Sequence, residues 1–381
     1  MLYLDNAATS YPKPEEVYRA MDYFLRNQAA NPGRAAFRMA VEAERLITDT
    51  RLLLKDFFNL PRPEQVVFTL NCTEALNIVL KGLLNPGAHV ITSGLEHNSV
   101  SRPLNRLKVD GVDFSIVNAA PDGLINPEEI AKLIRHDTQL IVLTHASNVL
   151  GTIEPVKEIG EIAAEKGVLF LLDAAQTAGA IPLDMQDLKI SILACSGHKG
   201  LMGPPGTGVL AIRDDDLEIA SLKEGGTGSF SEEPFQPSYY PDRLEAGTPN
   251  TVGIAGLKAG VEFIKKEGLE SIREHEVNLL KLLLEELSNI PNVTLYGTTE
   301  ADKRTGLVSF NIEGWDPQDA AAVLETRFEV ACRAGLHCAP WAHRFNETYP
   351  DGAIRFGISY FNTESEIRTA LDAVGTLAKA F

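Results

Sequence analysis

Ile190-Ser-Ile-Leu-Ala-Cys-Ser-Gly-His-Lys199-Gly-Leu-Met-Gly-Pro-Pro-Gly-Thr-Gly208 carries an apolar strand straight into a glycine-rich turn and sets Lys199 at the junction. A lysine delivered to the end of a buried strand loses part of its hydration, which lowers the ammonium pKa and frees the amine to attack a carbonyl. Upstream, Val168-Leu-Phe-Leu-Leu-Asp173-Ala-Ala-Gln176 ends a second apolar strand on a single carboxylate. Pyridoxal phosphate (PLP) needs these two groups, a lysine to hold its aldehyde as a Schiff base and an acid beside its ring nitrogen. Either motif alone is a weak signal. Together, in this order, they point to PLP.

Around these two strands lie further short, nearly continuous apolar runs at 66–70, 89–92, 113–117, 140–144 and 209–212. Such runs mark strands buried on both faces. Helical patterns at 73–84, 127–134 and 156–166 separate several of them, which predicts right-handed βαβ crossovers and a mostly parallel sheet. Ligands of such sheets sit at the carboxyl ends of the strands, where Asp173 and Lys199 both fall. Two helices, 14–27 and 35–58, precede the block, parted by the turn signal Ala30-Asn-Pro-Gly-Arg34. Beyond it, residues 225–248 are too long and too rich in turn residues for an ordinary connector, and read either as a linker or as a functional loop. From residue 250 the pattern changes to helices through 265, at 270–287, at 317–327 and from 363, with strands at 293–296, 307–312 and 353–360. The fold class is thus α/β, with a mostly parallel large domain and a smaller α+β domain. A chain of 381 residues is expected to divide this way, here into a PLP-binding domain over 14–248 and a small domain of 1–13 plus 249–381.

Lys+Arg 35 against Asp+Glu 52 leaves a net charge of −17, which argues against nucleic acid or an anionic membrane as partner. The four cysteines, at 72, 195, 332 and 338, form neither a CxxC pair nor a small disulfide framework. That suits a reducing, cytoplasmic setting and gives no metal-binding pattern. The start, Met-Leu-Tyr-Leu-Asp5-Asn6, lacks a secretory leader pattern, and no apolar run approaches the ~18 residues of a membrane span. A cytoplasmic protein is expected.

Other residues near strand ends carry candidate chemistry. Asn71-Cys72-Thr73-Glu74 opens a helix directly after a strand, where free amides and the helix dipole suit a phosphate, with the Thr73 hydroxyl as a further donor; a plain N-cap is the alternative. No GxxxxGK[ST] loop is present, and Gly225-Gly-Thr-Gly lacks the strand and helix of a dinucleotide site. Glu96-His97 follows another strand, so its imidazole is placed to stack on a planar ring, or else lies in a surface loop. Asn148 leaves the strand at 140–144 and is either a donor to a cofactor oxygen or a turn residue. In Ala353-Ile-Arg355-Phe-Gly357-Ile-Ser359-Tyr360 the alternation sends Ile354, Phe356, Ile358 and Tyr360 to one face and Arg355, Gly357 and Ser359 to the other, with Arg355 toward open space. A guanidinium there suits a substrate carboxylate, though a structural salt bridge fits equally. Cys338, in Arg333-Ala-Gly-Leu-His-Cys338-Ala-Pro340, has basic neighbours that favour a reactive thiolate; alternation would turn His337 away from its sulfur.

Taken in order, Tyr3-Leu-Asp-Asn-Ala-Ala-Thr9, Asn71-Cys-Thr-Glu74, Glu96-His97, Ser147-Asn148-Val-Leu-Gly-Thr152, Asp173-Ala-Ala-Gln176, Ser196-Gly-His-Lys199, Glu245-Ala-Gly-Thr-Pro-Asn-Thr251 and residues 333–339 resemble the class V aminotransferase superfamily. The chain is most similar to its cysteine desulfurase and selenocysteine lyase branch, in the group II form. The resemblance implies a PLP-dependent transferase of fold type I, commonly a homodimer, that takes sulfur from L-cysteine (or selenium from L-selenocysteine) and releases alanine. It implies Lys199 as the Schiff-base lysine and Asp173 as the partner of the pyridine nitrogen. Gln176 would donate to the ring phenolate, and His97 would stack on the ring. Thr73, Ser196 and His198 would hold the phosphate, with Thr248 reaching it from the second subunit. Asn148, Arg355 and Arg333 would handle the substrate, and Cys338 would accept the sulfur before passing it to an acceptor protein. Two positions depart from the pattern: Leu336 stands where a second histidine is common, and Cys72 where the phosphate loop often has Thr. A transaminase or another PLP lyase on this scaffold would make Cys338 incidental, and a scaffold that has lost turnover is the reading outside enzymology.

Overall fold

The computed structural model describes residues 1–33, 36–214, 216–229 and 231–379. Seven strands form the large sheet in the order Val66–Thr69, Gly208–Ile212, Ile192–Ser196, Leu169–Asp173, Thr138–Thr144, His89–Ser93 and Asp113–Val117. The central strands pair in parallel, and Gly208–Ile212 alone runs against both its neighbours. The expected mostly parallel α/β architecture is the one observed. His89–Ser93, Ile192–Ser196 and Gly208–Ile212 are buried at every residue, as their unbroken apolar runs require, whereas the edge strand Asp113–Val117 is partly exposed.

Crossover helices Cys72–Leu83, Pro127–Leu133 and Val156–Lys166 lie where the sequence places them, within one or two residues. Helix Asn98–Val109 is not among the helices expected from the sequence: it buries Val100, Pro103, Leu104 and Leu107 along one face, but a proline within it and a low mean hydropathy mask that stripe. The helix expected at 35–58 runs Arg38–Phe57; its anticipated start at Ala35, and Arg34 of the preceding turn, lie outside the described residues. Gly208 lies where its strand passes the start of helix Cys72–Leu83: a Cβ there would come within 2.6 Å of Thr69 Oγ1 and the Asn71 carbonyl carbon. Only glycine lets the sheet press against that helix start, which brings the helix N-terminus to the strand ends.

A second, antiparallel sheet runs Arg333–Gly335, Ala353–Gly357, Leu307–Ile312 and Val293–Tyr296. Ile354 and Phe356 point into its core with Val308 and Phe310, under helices Leu269–Asn289, Pro317–Phe328 and Glu364–Ala378. The chain start belongs to this layer: Leu2–Tyr3 pairs in parallel with Val330–Ala331, and Asp5 bridges to Gly357. Helix Thr251–Glu267 instead puts Leu257, Val261 and Ile264 into the core under the large sheet.

Candidate active site

At the carboxyl ends of the central strands a cavity of about 210 Å³ is lined by Asn71, Cys72, Thr73, His97, Ser99, Thr144, Asn148, Asp173, Ala175, Gln176, Ser196, His198 and Lys199. Sequence positions 71 to 199 meet there because parallel strands end on the same edge. Burial pushes the Lys199 ammonium below the ordinary lysine range, with Asp173 and Cys72 acting against the shift and Arg355 and Arg333 adding to it. Asp173 Oδ1 accepts from the Ala175 amide at 2.9 Å and from the Cys72 thiol at 3.3 Å. Burial, followed by the charge of Asp173, raises the Cys72 pKa and keeps it a thiol. The sulfur at the expected phosphate-loop position is therefore engaged with Asp173, and any phosphate contact there falls to backbone groups.

Thr73 is exposed at the helix start, and the plain N-cap reading of its hydroxyl does not hold: the cap is Asn71, whose side chain accepts from the Glu74 amide at 2.9 Å. His97 is itself the N-cap of Asn98–Val109. Its Nδ1 accepts from the Ser99 amide at 3.1 Å and meets the Ser99 hydroxyl at 2.6 Å. Burial lowers its pKa, so the ring is neutral with its proton on Nε2.

Gln176 donates to the Ala7 carbonyl at 3.0 Å, and Asn148 to the His337 carbonyl at 2.7 Å, so one amide hydrogen of each is already engaged. His337 and Cys338 both adopt positive φ, +47° and +57°. Left-handed backbone at two successive non-glycine residues is costly and persists only when its surroundings hold it. Here the Asn148 bond and a 2.7 Å bond from the Asn98 amide to the Cys338 carbonyl do so. His337 turns away from the sulfur, as expected, but through this turn rather than strand alternation; its Nε2 bonds the Ala353 carbonyl at 2.9 Å. Cys338 is exposed, in a second cavity of about 390 Å³ that shares Thr73, His97 and Ser99 with the first.

Arg355 does not face open space. It is 3% exposed, its Nη1 donates to the Asn148 carbonyl at 2.9 Å, and its Nη2 to Asp5 at 3.1 Å. The face that alternation leaves empty is covered by the N-terminal segment, a tertiary contact no local pattern encodes. Arg333 is more open and holds Asp5 with two nitrogens, the shortest contact at 2.8 Å. Thr248 is absent from the Lys199 cavity of its own chain. It lines a separate one of about 200 Å³ with Arg51, Phe68, Glu245 and other residues of 225–248.

Sequence reasoning gave no roles to Asp5, Ser10, Lys13 and Glu96. Ser10 Oγ donates to the Lys199 carbonyl at 2.9 Å, and Lys13 Nζ to Ser10 Oγ and the His198 carbonyl at 2.7 Å each. Burial pushes Lys13 down to about 8. The polar run Asp5-Asn6 inside an otherwise apolar start was the available signal.

The residues fit PLP on an observation independent of motif. His198 Nδ1 is buried in the cavity wall without a hydrogen-bond partner, as is expected of a donor awaiting an oxyanion. The N-terminus of Cys72–Leu83 opens on the same cavity, and Asp173 lies at its strand end.

The fold and this constellation are those of a PLP-dependent enzyme, and the chain belongs to the aminotransferase class-V family, whose model matches residues 2–369. Among its relatives is a probable cysteine desulfurase of Methanothermobacter thermautotrophicus, 36% identical over 374 residues that cover 96% of this chain and 92% of that protein. A probable cysteine desulfurase of Pyrococcus abyssi is 34% identical, covering 100% and 95%. The apo structure of a cysteine desulfurase from Thermococcus onnurineus superposes with a TM-score of 0.93 at 34% identity, covering 100% of this chain and 95% of that one.

Proposed function

We propose that this chain is a PLP-dependent cysteine desulfurase that converts L-cysteine to L-alanine and leaves the sulfur as a persulfide on Cys338. The observation that carries the reading is the pair of adjoining cavities. Lys199 and Asp173 line one, the exposed Cys338 lines the other, and Thr73, His97 and Ser99 belong to both.

When bound, PLP supplies an electron sink that makes the α-proton of an amino acid acidic. Thr73, Ser196, His198 and the amides of the 72–74 turn would hold its phosphate, Asp173 its ring nitrogen, Gln176 its phenolic oxygen, and His97 one face of the ring. Lys199 Nζ, deprotonated more readily for its burial, takes the α-proton and can return it to the carbon skeleton. Arg355, aided by Asn148 and Arg333, orients the substrate carboxylate. The Cys338 thiolate attacks the substrate sulfur: an S–S bond forms, the C–S bond breaks, and its electron pair stays with the carbon that becomes the alanine methyl. L-Selenocysteine would bind in the same way, but its selenium can leave without attack by the Cys338 sulfur.

A large domain and a small domain that includes residues 1–13 are part of this proposal, supported by the pairing of Leu2–Tyr3 with Val330–Ala331, but helix Thr251–Glu267 packs under the large sheet and moves the boundary expected at 248 to beyond that helix. A homodimer is supported by Thr248, which lies away from the Lys199 cavity of its own chain and suits a phosphate contact made across subunits. Exposure of Cys338 suits hand-over to a sulfur-acceptor protein, and four unpaired cysteines suit a cytoplasmic setting. No helix among the described residues is long and apolar enough to cross a membrane.

Incubation with L-cysteine and a thiol reductant, with sulfide and alanine measured in parallel in wild type and Cys338→Ser, tests the reading. Equimolar products, both lost in the variant, are expected. 3-Mercaptopyruvate in place of alanine would overturn it in favour of a transaminase, and pyruvate released with sulfide and ammonia would overturn it in favour of a β-eliminating PLP lyase.

A further inference from the structure

Among the described residues, Asp5 is the one acid placed on both arginines proposed to face the substrate. Its carboxylate takes Nε and Nη2 of Arg333, at 3.0 Å and 2.8 Å to Oδ2, and Nη2 of Arg355, at 3.1 Å to Oδ1. Arg355 Nε remains buried without a partner. The two guanidiniums repel one another, and both sense the sulfur of Cys338. Asp5 is held in place from several sides: its backbone bridges to Gly357, Asn6 donates to the Gly357 carbonyl at 3.0 Å, and Ser10 fastens the segment to the Lys199 turn. A Cβ at Gly357 would meet the Ala7 amide at 2.6 Å, so the strand accepts this segment only as glycine.

We propose that Asp5 is a specificity-determining residue, an internal carboxylate that fills the fork of Arg333 so that the clamp accepts amino acids with one carboxylate and rejects those with a second. Without it, two adjacent guanidiniums would present two forks, matched to a dicarboxylate. With it, the cluster carries a single net positive charge and one unpaired buried donor, Arg355 Nε, which suits one α-carboxylate. A second acidic group on the substrate would meet an occupied fork and the like charge of Asp5. The inference rests on the carboxylate-binding role proposed for Arg355.

L-Alanine and L-aspartate share a skeleton and differ by one carboxylate, so their dissociation constants, measured by calorimetry on the PLP-loaded protein, read the discrimination directly. Wild type is expected to favour L-alanine at least ten-fold. Asp5→Asn and Asp5→Ala are expected to lower that preference at least ten-fold, chiefly by tighter L-aspartate binding. Arg333→Gln added to Asp5→Ala should abolish the gain, and Asp5→Glu should restore the preference. Wild-type preference below ten-fold, or an unchanged ratio in both variants with only a lower Tm, would overturn the proposal and leave Asp5 a structural ion pair. Arg355→Gln separates the two levels: unchanged L-alanine binding there would sink the clamp itself. Lost binding there with an unchanged ratio in the Asp5 variants would sink only the role of Asp5.

Discussion

The amide of Asn98 donates to the carbonyl of Cys338 at 2.7 Å, which pins the left-handed turn carrying the thiol to the start of the helix that His97 caps. The expected sulfur acceptor and the expected ring-stacking imidazole are thereby fixed to one another although they lie far apart in sequence. The thiol sits on a braced turn, while its sulfur remains exposed.

Cys338→Ser keeps that brace, because the bond uses backbone atoms. PLP loading and Tm should match wild type, while alanine and sulfide production from L-cysteine fall together by at least about 10²-fold, since a hydroxyl is a far poorer nucleophile and cannot carry a persulfide. L-Selenocysteine turnover is expected to survive, because selenium can leave without a protein sulfur to receive it. Desulfuration near the wild-type rate in the serine variant would remove Cys338 from the mechanism.

Lys199→Ala should lose the absorbance of the lysine-bound cofactor and reduce turnover by at least ~10³-fold, the joint effect of losing anchor and base. Borohydride reduction of the wild type should label a peptide containing Lys199. A label on Lys13, the half-buried lysine that donates to the His198 carbonyl, would reassign the anchor.

Asp173→Asn should retain the fold, because the side-chain oxygen can still accept from Cys72 and the Ala175 amide. It should slow exchange of the α-proton of L-alanine for deuterium by on the order of 10³-fold, the size of a three-unit pKa change at the ring nitrogen, or ~4 kcal/mol. Exchange at the wild-type rate, followed by NMR, would separate Asp173 from the electron-sink chemistry.

Glu96 provides a pH-dependent contribution to stability. Burial raises its carboxyl to about 8, against the opposing bonds from Ser93 Oγ and the Thr144 amide, and buried Glu154 is raised in the same direction. A folded pKa above the unfolded one means the native state binds the extra proton. The contribution is complete below the ordinary glutamate value and disappears as pH climbs through about 8. Wild-type Tm should therefore decline between pH 5 and about 8.5, and Glu96→Gln, which has no proton to lose, should decline less steeply. Identical slopes would exclude Glu96 as the source.

Much of the fold was legible because its determinants are local. Unbroken apolar runs such as Ile192–Ser196 are those of strands buried on both faces, and their alternation with amphipathic helices leaves a parallel sheet as the arrangement that buries both. The site was legible to the extent that it lies on that sheet's carboxyl edge: Asp173, Ser196, His198 and Lys199 line one cavity because strand ends converge there. Helix Asn98–Val109 escaped notice although Val100, Pro103, Leu104 and Leu107 form a buried stripe, because the rest of it is polar, a proline lies within it and its cap is an imidazole, an uncommon N-cap.

By itself, then, the sequence determined a mostly parallel sheet with helical crossovers and the lysine and carboxylate at its strand ends, all of which follow from side-chain periodicity and chain direction. Only the tertiary structure decided that Arg355 is covered by Asp5, that the Cys72 thiol serves Asp173, and that Cys338 is braced by Asn98. Each of these joins residues far apart in the chain through one hydrogen bond or ion pair. Such a pairing depends on where the backbone has already been carried by packing, and no local pattern records it.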